Sequence, residues 1–194
     1  MNIEKDTKRA ILQKGLEMAS HLSLGTITIG ELAKEMKMSK SGLFAHFNSK
    51  EKLQLDILDY AAHHFASEVI LPALKVERGI PRIRAIVKNW VGWGSKFNGG
   101  CIFINTTTEF NDRPGKIRDL LFKQQNQWLD ILKRICKSAV KVGDLKTETE
   151  CEQFAFDLYS LVFGAYFYDQ LIQNPNIELR IENSLNQFLK TYSK

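Results

Sequence analysis

The chain has 194 residues, 44% of them hydrophobic and 25% charged, ordinary figures for one or two globular domains. No apolar run is long enough to span a bilayer and the start MNIEKDTKRA has no signal-peptide core, so no membrane partner is expected and the cytoplasm is the expected address. The net charge is +5, but residues 1–60 carry only +1 of it, so bulk charge does not by itself mark a nucleic-acid surface. Three cysteines without Cys-x-x-Cys spacing argue against a disulfide framework or a zinc cage. His63 and His64 are adjacent and would point about 100° apart on a helix, a poor metal clip. No metal and no cofactor are expected.

Ile3–Leu22 reads as an amphipathic helix on the apolar positions Ile3, Ala10, Ile11, Leu12, Leu16, Met18 and Ala19, followed by a loop with Ser23, Gly25 and Thr26. Thr28 and Glu31 form a capping-box pattern at the head of a short second helix, whose stripe is Ile29, Leu32, Ala33 and Met36. Ser39 is placed to cap a third helix, with Leu43 and Phe47 facing inward. Asn48 and Glu51 read as another capping box, opening a fourth helix from Ser49 to about Leu71, with a kink or end at Pro72. Gly79-Ile80-Pro81 opens a helix bearing Ile83, Ile86, Val87, Trp90, Val91 and Trp93, broken at Asn98-Gly99-Gly100. Cys101–Phe110 is predicted as a short helix: Ile102–Ile104 would suit a strand, but no partner strand is visible. Beyond the turn Asn111–Gly115, helices are predicted over Lys116–Lys141, Thr147–Gln173 and Ile177–Tyr192, punctuated by Gly143 and Asn174-Pro175.

The expected fold is all-α with about nine helices. An N-terminal helix-turn-helix domain over 1–48 precedes a larger helical domain over 49–194 for ligand binding and dimerisation, the fourth helix being the connection. Two short helices joined by a tight turn lay the second into the DNA major groove, its first turn reaching base edges. Lys40 can donate to guanine O6 and N7, and Ser41 is a permissive reader. Gly42 would let the backbone approach the duplex, and Phe44 would touch a thymine methyl or pack. Thr28, His46 and Lys50 are candidate phosphate contacts, which position without reading sequence. Phe47 is expected in the core.

The residues Leu32-Ala33, Met38-Ser39, Leu43-Phe44, His46-Phe47 and Ser49-Lys50-Glu51 resemble, over roughly Lys8–Leu58, the TetR family of one-component transcriptional regulators. The tract Gly99–Phe103 with Glu109–Gly115 resembles a TetR subgroup with a related C-terminal domain. Three positions depart from the family pattern: Lys37 stands where the turn usually has glycine, Phe44 where tyrosine is frequent, and Gly42 where a side chain is usual. If Lys37 is left-handed, it costs on the order of 1 kcal/mol relative to glycine. The resemblance implies a repressor released from double-stranded operator DNA by a small-molecule effector.

The downstream half holds more aromatic rings than helix packing alone needs. Trp90, Trp93, Phe97, Cys101, Asn105, Phe110, Trp128, Phe163 and Phe167 are the candidate effector-pocket residues. Thr106, Thr107 and Thr108 either add polar contacts there or bond back to their own helix. Cys101, at a helix start, would suit redox or electrophile sensing if its thiol is activated, and otherwise packs as a small hydrophobe. Cys136 and Cys151 read as packing residues. The segment Cys151–Phe167 is apolar on more than one face (Phe154, Ala155, Leu158, Leu161, Val162, Ala165), so one side can face the domain core and the other a twin helix across a two-fold axis; Leu179, Leu185, Phe188 and Leu189 extend this expected homodimer contact, which suits a palindromic operator. An enzyme with a Cys101 nucleophile is the rival from another class. No Gly-x-Ser-x-Gly, His-Glu-x-x-His or phosphate loop appears, and His21, His46, His63 and His64 all precede residue 65, so no catalytic residue is assigned. A helical interaction module without DNA binding is the third reading.

Overall fold

The computed structural model describes residues 3–97 and 99–194, with side chains from Asp6 onward; the expectations for the Ile3 side chain and for Asn98 lie outside them. The helices are α1 (Ile3–Leu22), α2 (Ile29–Glu35), α3 (Lys40–Phe47), α4 (Lys50–Phe65), α5 (Leu71–Lys75), α6 (Ile80–Ser95), α7 (Ile102–Phe110), α8 (Lys116–Val142), α9 (Cys151–Ile172) and α10 (Ile177–Tyr192). A 3-10 turn covers Leu24–Thr26, and a π turn, Ala66–Ile70, joins α4 to α5 without a break. Counted with α4 and α5 as one, nine helices run through the described residues. Their only bridge of strand type is the isolated pair Leu145 and Ser193.

Local chemistry explains most boundaries. Thr28 and Glu31 close the expected capping box on α2. The end of α2 is a Schellman motif: Met38 N–H donates to the Ala33 carbonyl at 2.9 Å and Lys37 N–H to that of Lys34 at 3.1 Å. This closure puts Lys37 at φ 53°, the left-handed region its family position predicts for glycine. Ser39 caps α3, its Oγ accepting from Gly42 N–H at 3.1 Å. The box expected between Asn48 and Glu51 does not form. Asn48 is spent as the left-handed C-cap of α3 (φ 59°), so the cap of α4 passes to Ser49, whose Oγ accepts from Lys52 N–H at 3.1 Å. Glu51 instead pairs with Lys116 at 3.0 Å.

Pro72 has no N–H and its ring crowds the carbonyl four residues back, so a regular α-helix cannot run through it. The chain widens into the π turn just before it and resumes as α5, where Pro72 sits in the first turn. The Val69 carbonyl in this turn accepts from the Asn89 side chain at 3.1 Å. The helix expected from Thr147 begins later, at Cys151, capped by the Glu150 carboxylate. Residues 145–149 are held instead by the bridge to Ser193 and by Lys146 N–H donating to the Tyr192 carbonyl at 2.9 Å.

Packing groups the chain into two compact units: Met1–Phe65 with Ser95–Gln124, and Ala66–Gly94 with Gln125–Lys194. This is a division by packing; the division by function at 48/49 is taken up below. In the first unit, Ile11, Leu16 and Ala19 of α1 are buried, as are Leu32, Leu43, Phe47, Leu53, Ile57 and Leu58 from α2, α3 and α4. The buried Gln54 amide donates to the Leu24 carbonyl at 2.8 Å and pins the 3-10 turn. At the same C-terminal end of α1, a Cβ on Gly99 would lie 1.7 Å from the Ser20 carbonyl oxygen, so only glycine fits. The Asn105 amide ties the same place together, donating to the carbonyls of Gly99 at 2.7 Å and Ser20 at 3.3 Å.

The second unit is built on aromatic contacts. Trp90 of α6 meets Trp128 of α8 edge to face at 4.9 Å and Tyr159 of α9 at 5.6 Å. Phe154 packs on Phe188 and Tyr192 of α10, and the Tyr192 hydroxyl donates to Asp157 at 2.5 Å. Leu185 and Leu189, expected at a dimer contact, are buried in this core.

Lys37→Gly is expected to raise stability by about 0.5–1 kcal/mol, because relief of a left-handed Cβ (about 1–2 kcal/mol) exceeds the entropic cost of glycine (about 0.5–1 kcal/mol). Urea unfolding of the two proteins measures this, and a lower midpoint for the variant would contradict it.

Candidate nucleic-acid interface

A four-residue turn, Met36–Ser39, joins α2 to α3. Leu43 and Phe47 are fully buried and fix which way α3 rolls. The opposite face carries Lys40, Ser41, Phe44 and Ala45, all exposed. Their spacing, i, i+1, i+4 and i+5, makes one continuous strip over two turns. Phe44 keeps 48% of its surface exposed, which is unusual for a phenylalanine.

The other candidate residues have local duties. Gly42 is half-buried, and a Cβ there would stand 3.0 Å from Ser39 Oγ, the atom that caps the helix. Glycine at this position therefore leaves the cap uncrowded. Thr28 is engaged three times by Glu31: its Oγ accepts from the Glu31 N–H at 3.1 Å, and its hydroxyl and backbone N–H donate to the carboxylate at 2.9 and 3.1 Å. The Lys50 ammonium donates to the Gly25 carbonyl at 2.6 Å, leaving two of its three donors. His46 is half-buried, its ring 6.1 Å from that of Phe47. Lys8 lies 5.4 Å above the Phe47 ring and 3.1 Å from Asp56, which Lys52 also contacts.

The nine residues expected at an effector pocket fall in both packing units. In the first, Cys101 is buried at the N-cap of α7, Asn105 bonds backbone carbonyls, and Phe97 and Phe110 are half-buried, the Arg113 guanidinium 5.5 Å over the Phe110 ring. In the second, Trp90, Trp93 and Trp128 are buried, while Phe163 and Phe167 continue from Tyr159 as a stack along α9, with centroids 6.0 and 5.5 Å apart. The structure thus joins Trp90 to Trp128 and Phe163 to Phe167. Thr108 bonds back to the Asn105 carbonyl at 2.8 Å, whereas the Thr106 hydroxyl is buried with no hydrogen-bond partner among the described residues. Glu109 opens a tract that carries the family resemblance, but its spacing gives no sign of the contact it makes. Its carboxylate accepts from Gly25 N–H at 3.1 Å, so α7 holds the turn that leads into α2.

Among the described residues no group of three or more His, Cys, Asp or Glu side chains is placed to hold a metal ion. His64 is biased toward its neutral form, first by burial and then by the positive charges of Lys96 and Arg9. No helix of the described residues is long and apolar enough to cross a membrane.

The profile of the tetracyclin repressor-like C-terminal domain matches residues 79–185, more than half of the chain. The chain belongs to the TetR family. Its fold agrees over nearly the full length with TetR-family regulators of known structure. One from Chloroflexus aurantiacus is 17% identical with a TM-score of 0.86, the match covering 98% of this chain and 96% of that one. One from Cytophaga hutchinsonii is 20% identical with a TM-score of 0.83 over the same shares. AibR, solved with isovaleryl coenzyme A and operator DNA, is 20% identical with a TM-score of 0.71, covering 95% of this chain and 97% of its own. No curated protein matches the chain in sequence. The TetR fold places α2 and α3 as its helix-turn-helix.

Thr28→Ala is expected to lower stability by about 0.5–2 kcal/mol through loss of the α2 cap. Thermal unfolding in the absence of DNA reads this; an unchanged midpoint would free Thr28 for a role at phosphate alone.

Proposed function

We propose that this TetR-family regulator is a homodimeric repressor that binds a palindromic operator and leaves it when a small molecule occupies its C-terminal half. Residues 1–48 are the DNA-binding domain, residues 49–194 the ligand-binding and dimerisation domain, and the protein works in the cytoplasm. The observation that carries the reading is the exposed strip of α3. Lys40 and Ser41 face outward at the N-terminal turn, the part of a recognition helix that meets base edges. Phe44 stands next on the same face, and a phenyl ring there suits a thymine methyl. Lys50 and His46 supply phosphate-side donors, and Gly42 keeps the backbone low. Thr28 contributes chiefly by fixing α2.

The dimer is proposed on the outward faces of α9 and α10. Phe156, Phe167, Leu171, Ile172 and Leu179 each expose more than half of their surface, Leu171 as much as 86%. Exposed apolar surface on this scale marks an interaction site. Two copies related by a two-fold axis would present two equivalent recognition helices to two half-sites. The effector acts through its different affinity for two dimer geometries, since equal affinity would shift nothing. AibR, whose structure holds both an acyl coenzyme A and operator DNA, supports a two-ligand arrangement of this kind. The aromatic rings on α6, α8 and α9, Trp90, Trp128 and Phe163 among them, are the groups offered to the effector.

Duplexes selected from random DNA by the purified protein supply the operator. Lys40→Ala is expected to weaken binding to it by about 1–3 kcal/mol with folding unchanged; equal affinity would remove Lys40 from the reading set. Leu171→Glu is expected to convert a dimer to a monomer in sedimentation velocity and to abolish the two-half-site footprint. A wild-type chain that sediments as a monomer would end the dimer proposal.

A further inference from the structure

Cys136, on α8, and Cys151, the first residue of α9, place their Sγ atoms 2.6 Å apart. Both are free thiols. Non-bonded heavy atoms rest about 3.5–4.0 Å apart, so the two sulfurs stand nearer to bonding than to packing. We propose that Cys136 and Cys151 form a peroxide-sensitive dithiol, a modification site that closes into an intramolecular disulfide. This goes beyond the DNA-binding reading and does not rest on it.

The backbone holds the two residues in place. Asp144 N–H bonds the Ala139 carbonyl at 3.1 Å and Thr149 N–H that of Lys146 at 3.1 Å, while the Lys146 ammonium reaches the Thr191 carbonyl at 2.8 Å. Glu150 then caps α9, accepting from the N–H groups of Glu152 and Gln153. The sulfurs differ in exposure. Cys136 is fully buried, whereas Cys151 is half-buried and lines an open groove of about 740 Å³ whose rim mixes the cations Lys133, Arg134 and Lys137 with the carboxylates Asp130, Glu150 and Glu152. Burial, with the neighbouring Cys151, raises the Cys136 pKa far above the usual thiol range. The division of labour follows: Cys151 meets the oxidant and Cys136 resolves.

In the first step the Cys151 thiolate attacks one oxygen of a hydroperoxide, the O–O bond breaks, and the leaving oxygen takes up a proton to depart as an alcohol or water. Cys151 is left as a sulfenic acid. The Cys136 sulfur then attacks Cys151 Sγ, the S–S bond forms, and the hydroxyl leaves as water with the Cys136 proton. Together the thiols lose two electrons and two protons, which the hydroperoxide gains. In a reducing compartment such a bond is transient and reports oxidant, the usual role of a disulfide there.

The test treats the native full-length protein with hydrogen peroxide, blocks remaining thiols after denaturation, and maps peptides by mass spectrometry without reduction. The expected result is a Cys136–Cys151 cross-link two hydrogens lighter than the dithiol, Cys101 still alkylated, and full reversal by dithiothreitol. The oxidised protein should melt about 5–10 °C higher, as closure of a short loop predicts. Cys136→Ser should leave Cys151 oxidised but uncross-linked. Three intact thiols after treatment, over-oxidation of Cys151 beside an intact Cys136, consumption of Cys101 instead, or a bond between two chains would each overturn the proposal.

Discussion

The position of α3 depends on two backbone corners that L-amino acids avoid. Lys37 leads into the helix and Asn48 leads out of it, both left-handed. Asparagine tolerates this region and lysine does not. The local cost is offset by the Schellman bonds, by the Ser39 cap, and by complete burial of Leu43 and Phe47. Those two side chains decide the roll of the helix, and the roll decides that Lys40, Ser41, Phe44 and Ala45 face outward. Everything proposed about DNA is downstream of that packing.

The cation inventory of the N-terminal region is smaller than its count. Lys8 and Lys52 are turned toward Asp56, Lys14 toward Glu17 and Glu35, and Lys50 toward the Gly25 carbonyl, the last with two donors left over. Over residues 1–60 the net charge is only +1, so charge balance alone does not mark this region as a polyanion surface. The exposed strip of α3 is itself half apolar, Phe44 and Ala45 standing beside Lys40 and Ser41.

Much of the fold was legible in the sequence. The spans 3–22 and 177–192 follow from apolar spacing and stop signals because their ends are set locally. The capping box at Thr28 is legible for the same reason, while the left-handed turn at Lys37 follows only from the family resemblance, which puts glycine there. The misreadings arise where one residue serves two neighbours or where distant chain intervenes. Asn48 fits both the cap of α4 and the end of α3, and the second claim wins. Thr147 was read into α9, but the bonds from 145–146 to the end of α10 pull that segment away. Widening before Pro72 could be expected as a kink, while its π form depends on surrounding packing, including Asn89. Within the candidate sites, the exposed face of α3 could be read from Leu43 and Phe47. The aromatic content of the C-terminal half did not say which rings would meet, since composition carries no direction. Nor could fifteen residues of separation reveal that two sulfurs would touch.

The close approach of Gly99 to the Ser20 carbonyl has a bearing on how this chain can vary. Any residue bearing a β-carbon there would have to displace main chain, not a yielding side-chain tip. A descendant that keeps this junction is confined to glycine at the position, whatever ligand it comes to recognise. One that acquires a larger residue must first have opened the junction, and with it the seat of the Asn105 amide. Change at this seam is thus all or nothing, since no graded series of side-chain sizes leads away from glycine there.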